Sequence, residues 1–147
     1  MLKFVLAITG CLLVASVSSA QETSPAEGNE VNVGDVMAYQ QERHFKLWFA
    51  GRASNWPLAD YELGKLKDSF DDIDKLLGGE TVGKAVGSPI AGLEKAIESK
   101  DKDSFTRAFD QLTAGCNSCH HTLDHAFIVI QRPNVLPYGN QSFAPPQ

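Results

Sequence analysis

Residues Cys116-Asn117-Ser118-Cys119-His120 set two thiols one helical turn apart, with an imidazole directly after them. Nothing else in the 147 residues constrains the fold as tightly, because both sulfurs must face one side of one element. A C-x-x-C-H run marks covalent attachment of a c-type haem. Cys116 and Cys119 would form thioethers to one porphyrin, and His120 would become the proximal iron ligand. Two other chemistries use such cysteines. A dithiol oxidoreductase opens a helix with C-x-x-C after a strand, and no strand pattern precedes Cys116. A zinc site could draw on Cys116, Cys119 and one of His120, His121 or His125. It would want a second ligand pair, for which only His44 remains. One covalently attached haem c is the expected cofactor.

The third cysteine belongs to a different kind of segment. Lys3 is followed by an apolar run from Phe4 to Val17 that is too short for a lasting bilayer span. Ser18-Ser19-Ala20 then supplies small residues for cleavage. Residues 1–20 are therefore expected to be a signal peptide, leaving Cys116 and Cys119 as the remaining thiols. Ile8-Thr9-Gly10-Cys11 also loosely matches a lipoprotein box, which would acylate Cys11 and tether the protein to a membrane. Apolar residues continue past Cys11, where a lipoprotein turns polar, so ordinary secretion is expected. The charge balance is acidic, 13 Lys+Arg against 18 Asp+Glu for a net charge of −5, and cleavage would also remove Lys3. That disfavours nucleic acid and anionic lipid. It suits a basic redox partner, and equally it suits simple solubility.

Residues 21–32 are polar and read as a flexible lead-in. Helical patterning follows over 33–130. Asn32 or Asp35 can cap a first helix carrying Val36, Met37, Phe45, Leu47, Trp48 and Phe49, with Gly51 predicted to end it. Asn55-Trp56-Pro57 opens a second, whose apolar residues from Leu58 to Leu77 repeat at three- and four-residue steps before Gly78-Gly79. Gly83 and Gly87 predict a loop, and Ser88-Pro89 a third helix running to about Lys100. Asp101 or Asp103 caps a fourth, with a stripe of Phe105, Phe109, Leu112, Cys116, Cys119 and Leu123. The fold class is all-α. Residues 131–147 form an irregular tail whose Val135, Leu136, Tyr138 and Phe143 predict packing on the domain. Trp48, Phe49 and Trp56 are expected in the core. Arg43, Lys46 and Arg52 are expected on a solvated face, with haem propionates as a second destination. Asp71, Asp72 and Asp74 are expected to face solvent.

Four helices with Cys116 to His120 on the last of them resemble the class II c-type cytochromes, the cytochrome c′ group, over roughly residues 33–127. The class I arrangement, with a methionine ligand downstream of the motif, is disfavoured because no methionine follows His120. The first helix is shorter and the tail longer than in the class II group. The resemblance implies an antiparallel four-helix bundle with the porphyrin in its core, and it allows a homodimer. In such a bundle the level of His120 on the first helix falls at about Gln40 to His44, by the uncertainty of such boundaries. His121 and His125 share the helix of His120 and cannot easily cross the porphyrin. His44 is therefore the expected second iron ligand beside His120, with Met37 or an open position as alternatives. A second imidazole would keep the iron low-spin and closed to small ligands, and a thioether would raise the potential. An open position would admit nitric oxide or carbon monoxide. The expected function is a periplasmic mono-haem one-electron carrier, not an enzyme, that exchanges electrons with redox partner proteins. A small-gas binder is the alternative.

Overall fold

A computed structural model describes residues 32–136 and 139–146. The predicted signal peptide, Cys11 and the lead-in up to residue 31 lie outside the described residues. Among the described residues there are four helices: α1 (Val33–Arg52), α2 (Trp56–Leu77), α3 (Thr81–Glu98) and α4 (Lys102–Thr122). No strand occurs among the described residues. Cross-helix pairs show that each helix runs against the one before it. Gln40 donates to the Leu66 carbonyl and Arg43 pairs with Glu62, so numbers rise on α1 as they fall on α2. Lys67 with Glu94 and Asp74 with Val82 give the same sense for α2 and α3. Gly115 beside Ala85 and Gly92 beside Ala108 give it for α3 and α4. The result is a compact four-helix bundle.

Local chemistry explains most of the ends. Asn32 accepts from the Asp35 amide, Asn55 from the Leu58 amide, and Asp101 from those of Asp103 and Ser104. Each side chain thereby satisfies an N–H that has no partner within its helix. The core between the helices includes Leu47, Leu63, Leu66, Ile73, Leu93, Phe105, Phe109 and Leu112, each at most 1 % exposed. Full burial of one such side chain stabilises the fold by roughly 1.5–3 kcal/mol.

Three sequence expectations are corrected. Gly51 does not end α1 but lies inside it, because the bundle needs a side chain missing there. A Cβ on Gly51 would sit 2.2 Å from ring carbons of Phe105. The segment before Pro89 is no loop, since α3 begins at Thr81. Its cap comes from another helix: Asp74 Oδ1 and Oδ2 accept from the amides of Val82 and Gly83 at 2.8 and 2.9 Å. Asp74 is accordingly half-buried, unlike its exposed neighbours Asp71 and Asp72. Pro89, now interior to α3, deprives the Ala85 carbonyl of its usual donor. That carbonyl faces Gly115 of α4, where a Cβ would come within 2.6 Å of the oxygen.

The backbones of α1 and α4 approach at few points. Large side chains bridge them: Trp48 and His44 lie 4.9 and 4.5 Å from the Phe109 ring, centroid to centroid. The tail runs back along this seam as a strap. Asn117 holds Ile130, Arg132 pairs with Asp110 and lies 4.8 Å over Trp48, and Asn55 donates to the Ala144 carbonyl. Phe143 is buried beside Phe49. These contacts lay the described part of the tail against the bundle.

Candidate functional site

The motif occupies the last turns of α4, and its two thiols continue the stripe begun by Phe105, Phe109 and Leu112. Cys116 is half-buried and Cys119 buried. Burial pushes the Cys116 thiol up to about 11, with the neighbouring Cys119 adding to the effect. Cys119 is raised as well, first by burial and then by the Asp74 carboxylate. These shifts bear on the competing chemistries. A reactive C-x-x-C cysteine is a thiolate stabilised at a helix N-terminus. Here the pair lies at a helix C-terminus, where the dipole disfavours negative charge. Both shifts disfavour the thiolate, which is wrong for dithiol exchange. Among the described residues no group of three or more His, Cys, Asp or Glu side chains is disposed to hold a metal ion. Cys116, Cys119 and a histidine therefore do not assemble a zinc site.

His120 is held in one state by the chain that follows it. Asp124 adopts a left-handed conformation, φ 61°. The amide of His125 then returns to the His120 carbonyl at 2.7 Å, and that of Asp124 to His121. This paired bonding is a Schellman ending, and it reverses the chain. Ile128 consequently comes back over the helix end, where its carbonyl lies 2.9 Å from His120 Nδ1. A carbonyl only accepts, so Nδ1 carries the proton and Nε2 keeps the lone pair. That is the tautomer a metal ligand needs, and a bond on the second nitrogen also orients the ring and raises its basicity. No family model, curated protein or solved structure matches this chain.

His44 is 5 % exposed on α1 and lies away from the motif's level. Its Nε2 is 2.9 Å from Thr113 Oγ1, whose own proton goes to the Phe109 carbonyl. Nε2 is thus the donor, and Nδ1 is left with the lone pair. Burial pushes the imidazole down to about 4, so it is neutral at pH 7. The pairs His44–Thr113 and Trp48–Phe109 fix the register of α1 on α4. Counting from them, the α1 residue level with His120 is Met37. His44 stands about two turns away, near 10 Å along the axis. This corrects the register anticipated from the sequence, which set His44 closer to that level than Met37. Met37 is half-buried against the core.

The strap over the seam was not anticipated in detail. Gln41, His44 and Phe45 of α1 and Val129, Ile130, Gln131, Pro133 and Val135 of the strap enclose a cleft of about 230 Å³. Phe127, Ile128 and Val129, which follow the motif, and Val135 and Leu136 further along the strap nevertheless leave apolar surface exposed. Buried Gln40 Oε1 has no hydrogen-bond partner among the described residues. The basic group of α1 is already engaged: Arg43 pairs with Glu62, Lys46 with Glu42, and Arg52 lies over the Trp48 ring. Asn117, Asp124, Thr113 and Asp74 shape the site, yet the sequence pattern singles out only Asp74, as a surface acid. Asn117 stands in plain view inside the motif, but its partner is an extended segment that periodicity does not locate.

Proposed function

We propose that the protein is an exported mono-haem c-type cytochrome that carries single electrons, with thioethers from Cys116 and Cys119 and His120 as proximal ligand. One observation carries this reading. A core-facing pair of thiols precedes an imidazole whose Nδ1 proton is committed to the Ile128 carbonyl, leaving Nε2 free to bind iron. Cys116, Cys119 and His120 supply the two sulfurs and the imidazole that such a group takes, and α4 makes few backbone contacts with α1. Once bound, haem supplies a one-electron couple between ferric and ferrous iron. The chain does the rest: two sulfurs fix the group to α4, Ile128 sets the tautomer of His120, and the strap limits water along the seam.

Register supports Met37 as the α1 side chain best placed for the sixth position, ahead of His44, whose Nε2 is occupied by Thr113. The same occupation of His44 favours a second reading, an open position that binds small gases, should Met37 also stay away. The test is mass and spectra of protein matured with a haem-attachment system. A mass increase of one haem with thioether-type absorption supports attachment, and the bare polypeptide mass refutes it. Low-spin spectra unmoved by carbon monoxide, converted to high-spin by Met37→Ala but not by His44→Ala, support the carrier with a sulfur ligand. Wild-type protein that binds carbon monoxide promotes the gas binder.

A further inference from the structure

We infer that Asn117, the first residue between the two cysteines, is a positioning residue for the proximal imidazole and acts by clasping the strap that carries the Ile128 carbonyl. The inference rests on the haem reading above and deepens it.

Asn117 bonds one backbone residue with both ends of its amide. Nδ2 donates to the Ile130 carbonyl at 2.9 Å, and Oδ1 accepts from the Ile130 amide at 2.8 Å. Such a two-point contact fixes Ile130 in position and in rotation, as a rung between two strands does. Two residues earlier, Ile128 donates to the His125 carbonyl and accepts from His120 Nδ1, each at 2.9 Å. Asn117 and His120 are three residues apart on a helix, about 4.5 Å of rise. Ile128 and Ile130 are two apart on an extended chain, about 6.6 Å. The strap therefore lies antiparallel to the end of α4 and meets it at 117 and at 120.

Burial does not provide the restraint at the critical point. Phe127, Ile128 and Val129 are all exposed, Phe127 at 79 % and Val129 at 73 %. Little apolar area holds the carbonyl over His120. The restraint comes from polar contacts: the turn at Asp124 on one side and the Asn117 clasp on the other. Without the clasp the next polar tie of the strap beyond Ile128 among the described residues is Arg132, on the exposed Asp110 pair and over the Trp48 ring. A carbonyl held on Nδ1 raises the donor strength of Nε2 and favours the ferric state. Asn117 thus helps set the potential without touching the iron.

The test uses holoprotein of the full chain, with Asn117→Leu and Asn117→Ala to remove the amide and Asn117→Gln to keep it one methylene further out. Ser118→Ala, at the exposed neighbouring position, is the control. Haem content is read by mass. Exchange of the His120 Nδ1 proton and of the Ile130 amide is followed by NMR, and the reduction potential is measured by titration. Loss of the clasp is expected to speed both exchanges about tenfold, the scale of one net hydrogen bond. The potential should move upward, with partial recovery in Asn117→Gln and no change in Ser118→Ala. Haem-bearing Leu and Ala variants with wild-type exchange and potential would overturn the inference while leaving the haem reading intact. So would a Gln variant that behaves like Leu. Wild-type protein lacking haem would instead remove the reading beneath it.

Discussion

Gly51 shows how much one missing methyl group can matter. With a Cβ placed 2.2 Å from the buried Phe105 ring, Gly51→Ala must displace a side chain that is packed on all sides. It is expected to cost about 1–3 kcal/mol in urea unfolding. Gly64→Ala, on the exposed face of α2 with nothing within 4 Å, should instead gain about 0.5–1 kcal/mol. His44 gives a prediction of opposite character. The folded protein keeps this imidazole neutral down to about pH 4, whereas an exposed one protonates near 6.5. Above pH 6.5 both states are neutral and stability is full. As pH falls from 6.5 to 4, only the unfolded chain takes the proton, so stability drops, by about 3 kcal/mol in total. Below pH 4 this group costs nothing more. Denaturant unfolding at pH 7.5 and 4.5 should show the drop, and His44→Leu should abolish most of it. The identities of Gly51 and His44 were plain in the sequence. Their roles were not, because a packing glycine and a stop glycine look alike until the opposite helix is in place.

All four helices end in the same way. Ser54, Gly78, Lys100 and Asp124 each adopt a left-handed conformation just past a helix end. The amides around each of them return to the last carbonyls of the helix. Only one of the four is glycine, so glycine stops locate the end of α2 and misplace that of α1. A non-glycine residue in this conformation costs about 1–2 kcal/mol. Lys100 is exposed in the turn between α3 and α4, and Lys100→Gly should therefore raise the urea midpoint by roughly 1 kcal/mol of stability. A midpoint that falls would mean the lysine side chain contributes more than the backbone strain costs. The beginnings of α1, α2 and α4 were readable because Asn32, Asn55 and Asp101 cap their own helices. The start of α3 was not, because its cap, Asp74, lies on the preceding helix, seven residues before Thr81.

At the scale of the molecule, helix number and order were open to inspection, since apolar residues at helical spacing can only be buried against one another. The strap was not. Its residues carry no period, and several of its apolar side chains remain in water. Asparagine and arginine contacts hold it instead, and these are defined only once α1 and α4 are assembled. The net charge of −5 gives a prediction for the proposed carrier. Electron exchange with a basic partner protein should slow as ionic strength rises, and exchange with an acidic one should quicken. Stopped-flow rates that ignore salt for both would show that charge does not guide the encounter. The strap also has a bearing on the order of assembly. It follows all four helices in the chain, so a ribosome or an export channel delivers it after them. The groove between α1 and α4 is thus roofed after the helices are made, and any bulky group destined for that groove has its opening before the strap arrives.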